Sequence, residues 1–170
     1  MGAPKAELLL DGVRLVDRAV AALTDGGCAE VVAVTRTGMA VPGARVVVNP
    51  DPERGMRSSL ALAVDAVGGV DALAVLLVDM PGVGSAAVRS VISAWRPGRI
   101  AVASYFGRRG HPTVMSPGLW RTALELASGD EGARALLASR PELLDDIAVD
   151  GDPGDLDTPA DLTNWTDPSS

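Results

Sequence analysis

Ala72-Leu73-Ala74-Val75-Leu76-Leu77-Val78-Asp79-Met80-Pro81-Gly82 is the stretch that decides the fold. Its first seven residues are all apolar, too short a run for an ordinary helix and without in/out alternation. Such a run reads as a strand buried on both faces of a parallel sheet. An acid follows at the carboxyl end, and Pro-Gly marks the turn. Weaker copies of the pattern lie at Val31–Thr35, Arg45–Val48 and Ile100–Ala103. Between them Val13–Leu23, Ser58–Val67 and Ser85–Trp95 carry helical spacing, with Val13, Val16, Val20 and Leu23 on one face of the first. Strands alternating with helices predict an α/β protein with a doubly wound, mostly parallel sheet flanked by helices.

The last third continues the series. His111–Met115 reads as a strand, and Ser116-Pro117 as the N-cap and first position of a helix reaching about Leu126. Asp130–Ser139 reads as a helix, Ile147–Val149 as a short strand, and Thr158-Pro159-Ala160-Asp161 as the opening of a last helix. We expect one domain over residues 1–166 and a frayed tail at 167–170.

Composition narrows the function classes. The 170 residues are 47% apolar and 22% charged, which excludes a largely disordered chain. Acids outnumber bases 22 to 15, for a net charge of −7 without a basic stripe, so nucleic acid is not an expected partner. Cys28 is the only cysteine, which rules out an intramolecular disulfide and suits a reducing compartment. The 72–78 run falls far short of the ~20 residues that span a bilayer, and no signal segment opens the chain. A cytoplasmic protein with no membrane partner is the expectation. Fourteen of the 15 basic residues are Arg; the single Lys, Lys5, sits in the opening Met1-Gly2-Ala3-Pro4-Lys5.

Ligands of open α/β sheets gather at the carboxyl ends of the strands. Asp79 stands at such an end, placed either to hold Mg²⁺ or to cap a turn. After Arg45–Val48 come Asn49-Pro50 and Gly55-Met56-Arg57-Ser58-Ser59, where Ser58 and Ser59 are either helix caps or short donors to a ligand. His111, the only histidine, reads more readily as a packed residue than as a catalyst. Asp155-Leu156-Asp157-Thr158 brings two acids together, and Asp157 or Thr158 is equally a helix cap. No zinc spacing, nucleophile elbow or G-x-x-x-x-G-K-S/T loop occurs.

The order of these motifs carries more than any one of them. Met1-Gly2-x-Pro4-Lys5, Asn49-Pro50, Gly55-Met56-x-Ser58-Ser59-Leu60, Val78-Asp79-Met80-Pro81, Gly107-x-x-Gly110-His111-Pro112, Gly129-Asp130-x-Gly132-Ala133-Arg134 and Asp155-Leu156-Asp157-Thr158-Pro159 together resemble the molybdenum-cofactor cytidylyltransferase-like NTP transferases of MobA-like fold. The resemblance runs nearly the whole length. It implies that Lys5 neutralises the nucleotide's phosphates and that Asn49 and Gly55–Ser59 line its base and ribose. Asp79 then holds Mg²⁺ between the α-phosphate and the attacking group, and Asp155 or Asp157 supplies a second acid near the metal. The stretch 105–112, with His111, faces the acceptor.

The reaction implied is attack by the phosphate of a pterin-type substrate on CTP, releasing pyrophosphate. A molybdoenzyme or its chaperone is the implied protein partner. Pro4 and the Gly-Met-x-Ser-Ser turn favour CTP. The alternatives are a guanylyltransferase of molybdopterin or phospholactate type, and a non-catalytic domain of the same fold. In the family a strand and a Gly-rich loop precede M-G-x-P-K. Neither occurs in these 170 residues, so the first central strand is expected to be missing, leaving a slot between two parallel strands. We expect a start codon assigned too late rather than a true truncation.

Overall fold

The computed structural model describes residues 5–127, 132–156, 161 and 165. Met1–Pro4, Gly129-Asp130, Asp157, Thr158 and the tail at 167–170 lie outside these residues, and the last helix reads from Asp161 alone. A 3₁₀ turn at Lys5–Glu7 leads into a small hairpin, β1 (Leu9–Leu10) and β2 (Val13–Arg14), around Asp11-Gly12. Both turn residues have positive φ, 51° and 78°, which Asp and Gly adopt at low cost. Then follow α1 (Leu15–Asp25), β3 (Val32–Thr35), β4 (Arg45–Val48), α2 (Met56–Ala66), β5 (Leu73–Val75) and α3 (Ser85–Ala94). The chain ends its described part with β6 (Ile100–Tyr105), β7 (Arg108–Met115), α4 (Pro117–Leu126), α5 (Arg134–Ser139) and β8 (Leu144–Ala148).

Most expected elements are found, with shifted bounds. The first helix starts at Leu15, because Val13-Arg14 is taken by the hairpin. The α2 helix begins at Met56 with Gly55 as its N-cap, so Ser58 and Ser59 sit inside its first turn rather than capping it. The α4 helix starts as expected, with the Leu119 N–H donating to Ser116 Oγ at 3.3 Å. Among the described residues α5 covers only Arg134–Ser139. The α1 and α3 helices meet at Gly26, where a Cβ would lie 2.4 Å from Val88 Cγ1.

The sheet is mixed and divided. The β3 and β4 strands form a parallel pair; the rest form a four-stranded sheet in the order β5-β7-β6-β8. There β7 runs against both neighbours, while β8 is parallel to β6. Tyr105, Ile100, Met115 and Trp120 are completely buried around this sheet. Between β3 and β5 lies a cavity of about 1200 Å³, lined by 31–35 on one side and 71–78 on the other. Val31 and Thr35 spend their carbonyls on Arg45 and Asn49 of the β4 side, so the alternating backbone groups of Val32 and Val34 face the cavity.

The 72–78 run departs from expectation for the same reason. Only Leu73–Val75 is strand, and every residue from Ala72 to Val78 is half-buried instead of buried on both faces. One flank of the most apolar segment in the chain looks onto open space.

Candidate functional site

Asp79 lies just beyond β5, where Lys5 reaches it: Nζ donates to Oδ2 at 3.0 Å, with the side chains 33% and 20% exposed. Two residues far apart in sequence, both singled out from it, are thus joined. The other carboxylate oxygen, Oδ1, is buried and has no hydrogen-bond partner among the described residues. A buried anionic oxygen without a donor is costly unless something cationic or protic completes it. The Asp79 carbonyl accepts from the Leu156 N–H at 2.8 Å, which brings Asp155 alongside.

That approach depends on Gly82. The Asp152 N–H donates to the Gly82 carbonyl at 3.2 Å, and a Cβ on Gly82 would come within 2.7 Å of Asp152 Cβ. The Pro81-Gly82 turn therefore does more than end a strand: it docks the 150–156 segment against the Asp79 turn. In the sequence that glycine signalled only a turn.

His111 is set by a bulge. Val102 of β6 pairs with Thr113, yet the next residue, Ala103, pairs with Gly110, so His111 and Pro112 are extra on β7. Bulges of this kind re-aim side chains beside functional sites. The His111 Nδ1–H donates to the Val75 carbonyl at 3.0 Å, leaving Nε2 as the acceptor nitrogen. Burial pushes its pKa below the ordinary histidine value, with the Val75 carbonyl and the Asp79 charge opposing the shift. The imidazole is thus neutral at pH 7. Tyr105, the first residue of the stretch that the resemblance turns toward the acceptor, holds the His111 carbonyl through its hydroxyl at 2.6 Å, and burial raises its own pKa to about 12.

Across the cavity stands the second group. Asn49 is buried; its amide donates to Ser58 Oγ at 2.9 Å and Ser59 Oγ at 3.0 Å, while Oδ1 accepts from the Asp51 N–H at 2.9 Å. Its own N–H binds the Thr35 carbonyl. Asn49 therefore fastens β3, β4 and the start of α2 into one unit, and is a support for Ser58 and Ser59 in this arrangement. Gly55 has φ 79°, which a side chain would strain, and as the N-cap of α2 it brings no capping side chain of its own. Ser59 and Met56 line the same cavity as His111 and Asp155. The candidate site is two-sided: the Lys5–Asp79 pair beyond the carboxyl end of β5, and a hydroxyl-bearing helix start beyond β4.

Among the described residues no three His, Cys, Asp or Glu side chains form a metal cluster. Asp79 with its open Oδ1, and Asp155 beside it, still match what Mg²⁺ asks of a protein: one or two carboxylates, the remaining ligands coming from phosphate and water.

The model of the MobA-like NTP transferase domain matches residues 1–145. The chain belongs to that family. Among its relatives is the nicotine blue oxidoreductase of Paenarthrobacter nicotinovorans, 36% identical, with the alignment covering 91% of this chain and 84% of that protein. Rv0371c from Mycobacterium tuberculosis superposes with a TM-score of 0.81 at 26% identity, covering 96% of this chain and 88% of that one. The same mycobacterial protein, solved as a complex with manganese, superposes at 0.78 and 26% identity over 95% and 91% of the two chains. The α/β fold is that of nucleotidyltransferases. Among the described residues no helix is long and apolar enough to cross a membrane.

Proposed function

We propose that this NTP transferase moves CMP from CTP to the phosphate of a pterin-type cofactor of the molybdopterin class, releasing pyrophosphate. The observation that carries the reading is the Lys5–Asp79 pair with Asp79 Oδ1 left open. A lysine and a carboxylate-held Mg²⁺ on opposite sides of a phosphate form a clamp on the charge that develops in phosphoryl transfer. Mg²⁺, held by Asp79 and by Asp155 or Asp157, supplies that electrostatic stabilisation when bound. Lys5, on meeting the nucleotide, exchanges its bond to Asp79 for one to phosphate. Asn49 holds Ser58 and Ser59 toward the nucleotide's sugar and base, and neutral His111 faces the acceptor with Nε2 free to take a hydrogen bond. A cytoplasmic location and a molybdoenzyme or its chaperone as recipient of the product fit this role.

Pyrophosphate release is the test. With Mg²⁺ and a molybdopterin-type acceptor we expect CTP to be used in preference to GTP; preferential use of GTP promotes the guanylyltransferase reading. A second reading is oxidoreduction, favoured by the 36% identity to nicotine blue oxidoreductase. Loss of the colour of nicotine blue with a reduced nicotinamide nucleotide, without pyrophosphate release from any nucleotide, decides for it.

A further inference from the structure

Two hairpin turns in this chain share one backbone geometry and differ in the residue that pays for it. Asp11-Gly12 has φ 51° and 78°, and Phe106-Gly107 has φ 50° and 81°. Two-residue turns with both φ positive favour Asn, Asp or Gly in the first position. Asp11 obeys; Phe106 does not, and a bulky side chain at positive φ is sterically disfavoured. Phe106 is also the only Phe of the chain and is 93% exposed, more than any other large apolar side chain among the described residues. An exposed aromatic alone is ordinary. One that is exposed and also held in a conformation that disfavours it stabilises nothing in the fold, and such outliers point to function.

The turn is held in place rather than loose. Beneath it Tyr105 is completely buried and bonded to the His111 carbonyl. Gly110 lies flat under the Tyr105 ring, where a Cβ would meet Cε2 at 3.2 Å. Arg109 grips Asp146 through two bonds of 2.6 and 2.9 Å. Since β5 and β6 both run against β7, the hairpin tip rises from the same sheet edge as Asp79. Arg108 stands three residues from His111 along β7, a backbone separation of ~10 Å at ~3.3 Å per residue. Arg108 itself is exposed and has no ion pair among the described residues.

We propose that Phe106, with Arg108 beside it, is the specificity-determining contact for the acceptor, stacking on a planar aromatic ring whose phosphate is held at Asp79. This rests on the transferase reading above. The ring face supplies the stacking surface and Arg108 attracts the anionic molecule. The required acceptor thus has two ends about a hairpin's length apart: a reacting phosphate and a flat heteroaromatic group.

Flavin mononucleotide is a suitable probe, since its five-carbon chain separates phosphate from ring by a comparable span and its fluorescence is quenched on stacking. Ribose 5-phosphate serves as the ringless control. Wild type is expected to bind the flavin with quenching. Phe106→Asn is expected to weaken that binding at least tenfold, Phe106→Trp to keep it, and neither to change ribose 5-phosphate binding. Asn suits the turn better than Phe, so Phe106→Asn should melt no lower than wild type. Failure of wild type to bind the flavin overturns the proposal, as does unchanged binding by Phe106→Asn or an equal loss for ribose 5-phosphate. Conversion of an oligomer to a monomer by Phe106→Asn with flavin binding intact overturns it in favour of contact between copies. The assay needs no turnover: Phe106-dependent binding in a protein that releases no pyrophosphate would sink the transferase reading and leave the aromatic contact standing.

Discussion

The two sheets of this molecule are made of similar residues and stand very differently. In the four-stranded sheet β6 has neighbours on both sides, and five of its six residues are buried. In the two-stranded sheet β4 is half-buried at best, and β3 alternates between buried and half-buried. A run of Val and Ala is therefore not a core by itself. It becomes one when neighbouring strands satisfy its backbone and helices cover its faces, and a parallel pair alone is marginal. The proposed site is divided along the same line, with Lys5, Asp79 and His111 on the well-supported side and Asn49, Ser58 and Ser59 on the other.

Asp79→Asn should have the largest effect. It removes the charge from the well-supported half while keeping size and hydrogen-bonding capacity. Pyrophosphate release should fall by ~10²–10³ or more, the scale of losing one electrostatic group in a phosphoryl or acyl transfer site, with the melting temperature nearly unchanged. Near-wild-type turnover would move the metal role to Asp155 or Asp157.

Filling the cavity should come next. In a packed sheet a residue occupies ~160 Å³, from strand spacing, rise and layer separation, so 1200 Å³ takes about seven residues. Ala6 lines this cavity and Lys5 lies at the carboxyl end of β5, so a strand joined ahead of Met1 has a natural exit. Adding an extended Val- and Ala-rich segment there should raise stability by ~3 kcal/mol, or roughly 10 °C, from apolar burial in excess of ordering cost. The amides of Val32 and Val34 should become protected from hydrogen exchange. Equal melting temperatures would show that the gap closes without a strand, and that the two sheets differ for another reason.

Asn49→Ala tests the weaker half alone. It deletes three bonds made by one buried amide and should cost ~2 kcal/mol. Exchange should quicken in β3 and β4 before it does in β6, and nucleotide KM should rise more than kcat falls. A uniform loss over both sheets would mean that they unfold as one unit.

Much of this was legible in the residues. Helical spacing placed α1, α2 and α3 to within two residues, Ser116-Pro117 marked the start of α4, and the acid after the most apolar run is the one that Lys5 meets. The burial of that run was not legible, because it depends on what lies beside β5, and a strand's own residues do not encode its neighbours. Tyr105 was read only as part of the stretch 105–112, because its own role is to hold a backbone carbonyl, which leaves no spacing in the sequence. Gly82 read only as a turn, since the crowding that requires glycine comes from Asp152, seventy residues later. Phe106 was likewise only one residue of the stretch 105–112: the backbone conformation that makes it unusual is set by the hairpin, not by the residue.

The smallest expected effect is a dependence on pH that should belong to the four-stranded half alone. His111 is half-buried and its pKa is lowered from 6.5, chiefly by desolvation, so it favours the neutral form. The unfolded chain takes up this proton as pH falls through about 6.5, whereas the folded chain resists it. More protons are then bound in the unfolded state, so stability rises with pH in this window and is lost on acidification below about 6.5. One group gives a slope no steeper than ~1.4 kcal/mol per pH unit. Asp145 and Asp146, lowered by bonds to Arg99 and Arg109, act in a separate window, their contribution fading as pH falls below the ordinary carboxylate range. Denaturant unfolding between pH 5 and 7.5 should therefore show a shallow slope in wild type that Phe106→Asn leaves intact and His111→Gln removes. Protection factors, taken against the intrinsic exchange rate at each pH, should fall first at β5 and β7 on going to pH 5.5, since the imidazole bridges their contact through the Val75 carbonyl. The β3–β4 pair has no such group between its strands, and an earlier loss of protection there would place the acid-labile group in the wrong half of the molecule.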